Sequence, residues 1–322
     1  MASAFLTWPR TIHRWEIETF KQAILRDTMR SIRRAPNRPE PEAWSKDAVT
    51  FAWLGHSTVL INFFGINILT DPVLGARVGL KVGPFVIGPK RFVQPALKWW
   101  ELPPLDVVLV SHAHFDHLDI WSLRKLGGAP IAVTSKHSAD LFRWTWMTHV
   151  RELDWHEQTT LFPKRGGLRI EAFPTSHWGA RLRSDHHRRW NGYVLERHGV
   201  KLMFAGDTGY TRAFENLRGG GPYDVAIMPI GAYEPWVTNH CTPEQALSMA
   251  DAAGARFILP VHHQTFKLSW EPVNEPIKRL KDALRKEPKR LALQEIGETF
   301  VLPHYERASH CHEDSKAQRH KG

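Results

Sequence analysis

The chain has 322 residues, 42% of them hydrophobic, enough to bury one large core, and no linker-like stretch divides its apolar segments. Lys and Arg outnumber Asp and Glu by 43 to 33, a formal net charge of +10. The basic residues are scattered and no nucleic-acid-binding module accompanies them, so a nucleic-acid partner is not expected. Only Cys241 and Cys311 are present, which excludes a disulfide scaffold.

Residues 1–47 form a basic arm. Phe20, Ile24, Leu25, Met29 and Ile32 recur at helical spacing beside Lys21, Arg26, Arg30, Arg33 and Arg34, which predicts a basic amphipathic helix. Such a helix lies on an anionic membrane surface or packs on the domain with its basic face solvated. The start, Met1 to Arg10, lacks the apolar stretch of a signal peptide. No segment reaches the roughly 18 to 20 apolar residues of a bilayer span, so a cytosolic setting with at most peripheral membrane contact is expected.

Residues 48–305 read as one α/β domain. Strands are predicted near 48–54, 57–63 and 66–70, the last closed by Asp71 before Pro72, a turn signal. The apolar run Leu105–Val110 predicts the next strand. It leads into Ser111-His-Ala-His-Phe-Asp-His, which packs His112, His114, Asp116 and His117 into six residues. Three imidazoles and a carboxylate are ligands that a borderline cation such as zinc accepts, and solvated histidines have no reason to crowd this way.

Helices near 119–126 and 136–146 flank a strand near 130–134. A strand over 168–173 leads to His177. Strands near 192–197 and 200–205 form a hairpin at Gly199, and Asp207 follows the second. After a strand near 224–229, His240 precedes Thr242-Pro-Glu-Gln, a capping box that starts a helix over 243–253. A strand near 256–261 ends at His262, a helix follows near 275–286, and the polar residues 306–322 read as a disordered tail. His177, Asp207 and His262 thus repeat one pattern, each at the carboxyl end of a strand, which predicts a shared rim.

With these motifs stand Trp53-Leu-Gly-His-Ser-Thr-Val, Gly88-Pro-Lys-Arg-Phe, Ser176-His-Trp, Phe204-Ala-Gly-Asp-Thr-Gly-Tyr, Pro229-Ile-Gly-Ala-Tyr-Glu-Pro and Val261-His-His-Gln-Thr-Phe. From about Phe51 to Phe266 the chain resembles the metallo-β-lactamase superfamily, and within it the branch of N-acylphosphatidylethanolamine-hydrolysing phospholipase D. The resemblance implies a four-layer αββα sandwich. It implies that His112, His114 and His177 hold one Zn2+, that Asp116, His117 and His262 hold a second, and that Asp207 bridges them; another divalent transition metal is an alternative. Asp71 resembles the carboxylate that orients a ligand imidazole, its other reading being the turn alone. His56 takes a similar outer part, and His240 matches a substrate-site histidine whose other reading is a plain loop residue. Tyr233, Glu234 and Trp236 share its loop and are candidates to line the pocket. His263 and Gln264 stand where the animal phospholipase has Trp and Gly, so two adjacent histidines compete for one place; the following Thr265-Phe266 favours His262.

The implied chemistry is attack by a hydroxide shared between two cations. The expected function is a zinc-dependent phosphodiesterase of phospholipase D type, with Asp116, His240 and Asp71 as catalytic candidates, cleaving N-acylphosphatidylethanolamine-like lipids to N-acylethanolamine and phosphatidic acid. The alternative is a lactonase or other small-ester hydrolase; a nuclease or a non-catalytic nucleic-acid- or membrane-binding protein ranks below both. A phospholipid or small ester is the expected partner, a homodimer is compatible with the sequence, and His114, where the di-iron branch has an acidic residue, argues against redox chemistry.

Overall fold

The structure is a computed structural model and describes residues 30–303 except residue 183. The predicted helix up to Met29 and the tail 306–322 lie outside these residues. From Arg30 the chain is extended rather than helical: Arg33 forms an isolated parallel bridge with Val93, with Arg33 N donating to Phe92 O at 3.0 Å.

In chain order the strands are β1 (Val49–Gly55), β2 (Thr58–Phe63), β3 (Ile66–Thr70), β4 (Leu80–Val82), β5 (Phe85–Ile87), β6 (Val107–Val110), β7 (Ile131–Ser135), β8 (Val150–Leu153), β9 (Gln158–Leu161), β10 (Leu168–Phe173), β11 (Gly192–Arg197), β12 (Val200–Phe204), β13 (Tyr223–Pro229), β14 (Ala255–Val261) and β15 (Thr299–Val301). The α-helices are α1 (Ile120–Lys125), α2 (Ala213–Leu217), α3 (Pro243–Ala253) and α4 (Glu275–Ala283). A seven-stranded sheet runs β15-β1-β2-β3-β6-β7-β8 and a six-stranded sheet runs β14-β13-β12-β11-β10-β9; among the described residues β4 and β5 pair only with each other. Each large sheet is an antiparallel meander continued by parallel strands, β6, β7 and β8 in the first and β13 and β14 in the second.

Side-chain alternation builds the layers. Val107 and Leu109 face the second sheet, in one core with Leu195, Phe204, Ile227 and Val261, while Val108 and Val110 face α1 in another. In the second sheet Val225 and Ile227 point to the inter-sheet core, and Ala226 and Met228 point to a third core with Ala246, Met249 and Leu280 of α3 and α4. Three cores between four layers give the metallo-β-lactamase αββα sandwich. α3 begins as predicted: Thr242 accepts from Gln245 N, Gln245 answers, and Pro243 takes the first turn.

The helix predicted over 136–146 is instead a short 3-10 run, Ala139–Trp144. Tertiary contacts explain the difference. Glu152 on β8 takes both Ser138 N and Ala139 N at 2.7 Å, and Thr145 closes the run by donating its N–H and hydroxyl to Phe142 O.

β12 leaves the sheet through Gly206, at φ 61°. A Cβ there would lie 2.7 Å from Ser111 Cβ and 3.0 Å from Asn191 O, so the turn that presents Asp207 is closed to any larger residue. Gly206→Ala is expected to cost about 3 kcal/mol in urea unfolding at unchanged slope. An unchanged midpoint would show that the Ser111 side of the turn yields freely.

Candidate metal centre

The loops that meet here all leave the carboxyl ends of strands: Asp71 follows β3, His112–His117 follow β6, His177 follows β10, Asp207 follows β12 and His262 follows β14. His56 joins them from the β1–β2 turn. Three of these residues hold positive φ, His56 at 53°, Asp71 at 31° and His262 at 64°, a local cost that the packed sheets on either side sustain.

Two donor sets converge. In the first, His112 Nε2 lies 2.8 Å from His114 Nδ1, which lies 3.3 Å from His177 Nε2. In the second, His56, Asp116, His117 and His262 present atoms all within 4.8 Å of one another, and Asp207 belongs to groups that also contain His112, His117, His177 and His240. Asp207 Oδ2 is 3.1 Å from both His117 Nε2 and His262 Nε2. These contacts lack hydrogen-bond alignment: His117 Nε2, His262 Nε2 and Asp207 Oδ1 are buried without a hydrogen-bond partner. Unmatched polar atoms converging on one point are what a multidentate cation site requires.

The outer contacts fix which ring nitrogen faces inward. Asp71, fully buried, accepts from Ser111 N at 2.7 Å, Ser111 Oγ at 2.6 Å and His117 Nδ1 at 2.6 Å. Because the Ser111 hydroxyl proton goes to Asp71, Ser111 Oγ is left to accept from His112 Nδ1 at 2.9 Å. His177 Nδ1 donates to Asn239 O at 3.0 Å. Thus His112 and His177 turn an Nε2 lone pair inward, and His117 turns its Nε2 inward with Nδ1 committed to Asp71.

Charge distribution agrees. Burial holds His112 and His177 well below the ordinary histidine range and pulls His114 and His240 down to about 4, leaving neutral imidazoles at neutral pH. Burial opposes the Asp116 and Asp207 charges, yet His117 and His262 more than offset it and hold both carboxyls well below their usual range. Burial likewise lowers His262, but Asp207 and Asp116 push it up to about 9, and His117 rises against the same carboxylates. The positive charge those two imidazoles carry beside the acids is the charge a divalent cation would supply, with release of their protons. The donor set therefore fits such a cation.

Of the remaining candidates, His240 is closer in than a substrate-side residue need be, with Nδ1 3.8 Å from Asp207 Oδ2. His56 Nε2 lies 3.1 Å from Asp116 Oδ2, and burial with the neighbouring His262 takes it down to about 3. His263 turns away and stacks on Trp53 at 4.4 Å. Tyr233 is buried, and its hydroxyl donates to Glu275 at 2.8 Å, so it braces the loop rather than offering that hydroxyl to a pocket; Glu234 is exposed. Trp178 walls the first set, 4.7 Å from His114 and 4.4 Å from His177. Arg181 was not anticipated: it lies over Phe115 and donates to Ala113 O and Leu118 O at 2.9 and 2.7 Å, bracing the ligand-bearing loop from both ends. Nothing in its sequence neighbourhood sets it apart from the other arginines.

Residues 66–263 match a family model described as the beta-lactamase superfamily domain. An uncharacterised protein of Mycobacterium tuberculosis is 34% identical over 270 residues, covering 80% of this chain and 70% of the relative. The N-acyl-phosphatidylethanolamine-hydrolyzing phospholipase D 1 of Caenorhabditis elegans is 32% identical over 260 residues, covering 74% of this chain and 71% of the relative. The structure of Igni18, a metallo hydrolase from Ignicoccus hospitalis, superposes with a TM-score of 0.61 at 19% identity, over 80% of this chain and 100% of that one, which speaks for the fold.

Asp71→Asn is expected to weaken zinc binding about 10- to 100-fold in chelator competition, and Ser111→Ala to weaken it less, because serine touches only the His112 side directly. Equal affinity in all three proteins would remove Asp71 from any orienting role.

Proposed function

The chain belongs to the beta-lactamase superfamily and is a metal-dependent hydrolase; from that premise we propose that it is a binuclear zinc phosphodiesterase acting on N-acylphosphatidylethanolamine-like lipids. The observation that carries the reading is the pair of donor sets sharing Asp207. The 32% identity to the worm phospholipase, over 74% of this chain, supports the substrate class.

In this reading His112, His114 and His177 hold one cation, Asp116, His117 and His262 the other, and Asp207 lies between. Bound there, the cations would acidify water and neutralise charge building on a phosphoryl oxygen. The protein's own part is orientation and exclusion. Asp71 keeps the His117 ring in one tautomer directly and the His112 ring through Ser111. Trp178 shields the first set from solvent on one side. His240, held neutral by burial, offers a single N–H to a phosphoryl or leaving oxygen beside Asp207.

Zinc-loaded protein is expected to release N-acylethanolamine and phosphatidic acid from N-acylphosphatidylethanolamine. Asp207→Asn should lower turnover by at least about 1,000-fold, equivalent to about 4 kcal/mol in the barrier. Chelation should abolish turnover and added zinc restore it. Opening of a phosphorylated lactone without lipid cleavage would move the assignment to a small-ester hydrolase.

A further inference from the structure

Among the described residues the β4–β5 hairpin is joined to neither large sheet. Its cross-strand partners, Leu80 with Ile87 and Val82 with Phe85, put four apolar side chains on one face, and Lys81 with Val86 on the other. The apolar face is open: Leu80, Val82 and Phe85 are 55%, 52% and 71% exposed. The hairpin stands on a neck that only glycine can form, since a Cβ on Gly79 or Gly88 would lie 2.1 or 2.0 Å from the opposing carbonyl oxygen. A protein gains nothing in stability by presenting such a face to water.

Its other face is anchored to the site. Lys81 Nζ sits 3.2 Å over the Trp121 ring, and Arg124 lies 5.2 Å from Trp121 and 5.4 Å from the 62%-exposed Trp146. Trp121 and Arg124 belong to α1, which starts just after His117, and Leu74 N donates to Ser122 Oγ at 2.7 Å, tying α1 to the loop that leaves Asp71. Apart from Asp119, whose carboxylate caps α1, no Asp or Glu occurs from Pro72 to Trp100 or from Ile120 to Ala139.

We propose that this face is a docking surface for an anionic phospholipid bilayer, with Phe85, Val82 and Leu80 entering the acyl boundary and Lys81 and Arg124 meeting the headgroups. Charge selects this occupant. A second copy of the chain would bring two stretches of the same sign together, since 72–100 carries Arg77, Lys81, Lys90, Arg91 and Lys98 and no acid, whereas an anionic surface complements them. The purpose, delivery of lipid to the neighbouring site, rests on the phosphodiesterase reading; the binding itself does not.

The test is co-sedimentation of the full chain with vesicles of equal parts phosphatidylcholine and phosphatidylglycerol, and with phosphatidylcholine alone. The parent should bind the anionic vesicles and release from them as salt rises. Phe85→Ser with Val82→Ser should lower the partition coefficient at least about tenfold. Far-UV circular dichroism and turnover of bis(p-nitrophenyl) phosphate in solution should be unchanged in that variant. Equal vesicle binding by parent and variant, or none by the parent, would overturn the proposal, as would a dimer that the variant breaks without any vesicle binding. Loss of soluble-diester turnover in both proteins would instead fail the catalytic reading and leave the docking result standing.

Discussion

One buried carboxylate sets the geometry on which the site depends. Asp71 has no solvent exposure, and an ionised group so placed costs several kcal/mol unless its lone pairs are met. Its side chain accepts three hydrogen bonds, and these reach both donor sets: His117 directly and His112 through the Ser111 hydroxyl. A single charge therefore chooses the tautomer of one imidazole on each side. Its backbone is tied just as firmly, with Asp71 N donating to Leu109 O and Asp71 O accepting from Thr58 Oγ1. Asp71 is thus held from the middle of the first sheet, where β3 pairs with β6.

The two sheets supply the rest by repeating one arrangement. In each, a meander feeds into parallel strands whose carboxyl ends open on the same rim, and the inter-sheet core locks the two rims together. Close backbone approach completes it: a Cβ on Gly231 would lie 2.3 Å from His262 O, just as one on Gly206 would strike Ser111. Glu271 adds a second buried clamp, accepting from Ala232 N and Glu234 N and so fixing the loop beside His262. Polar groups whose hydrogen bonds end inside the protein hold the loops, while the apolar layers hold the strands that bear them.

Much of this is legible in the sequence because the chemistry sits where apolar runs stop. Val107-Val-Leu-Val before Ser111, Val200–Phe204 before Asp207 and Ala255–Val261 before His262 each read as a buried strand ending in a polar ligand type. The capping box at Thr242 is a local signal and places α3 without help from the fold. What escaped the sequence is decided by distant partners. β8, β9 and β15 are short edge strands such as Gln158-Thr-Thr-Leu, with little apolar alternation to betray them. The run 136–146 has helical spacing, but Glu152 and Thr145 take its end groups and hold it to a 3-10 turn. Strand periodicity does not separate His262 from His263, which only the resemblance around Thr265-Phe266 ranks; the backbone at φ 64° turns the first inward, and Trp53 receives the second. Nor does any local pattern pair the Tyr233 hydroxyl with Glu275.

The proposed site holds two cations in two sets of side chains that share Asp207. Anomalous scattering at the zinc edge from zinc-loaded crystals tests it most directly. Two peaks are expected about 3.5 to 4 Å apart, one among His112, His114 and His177, the other among Asp116, His117 and His262, with Asp207 between them. A single peak, or a peak coordinated by His263 in place of His262, would contradict it.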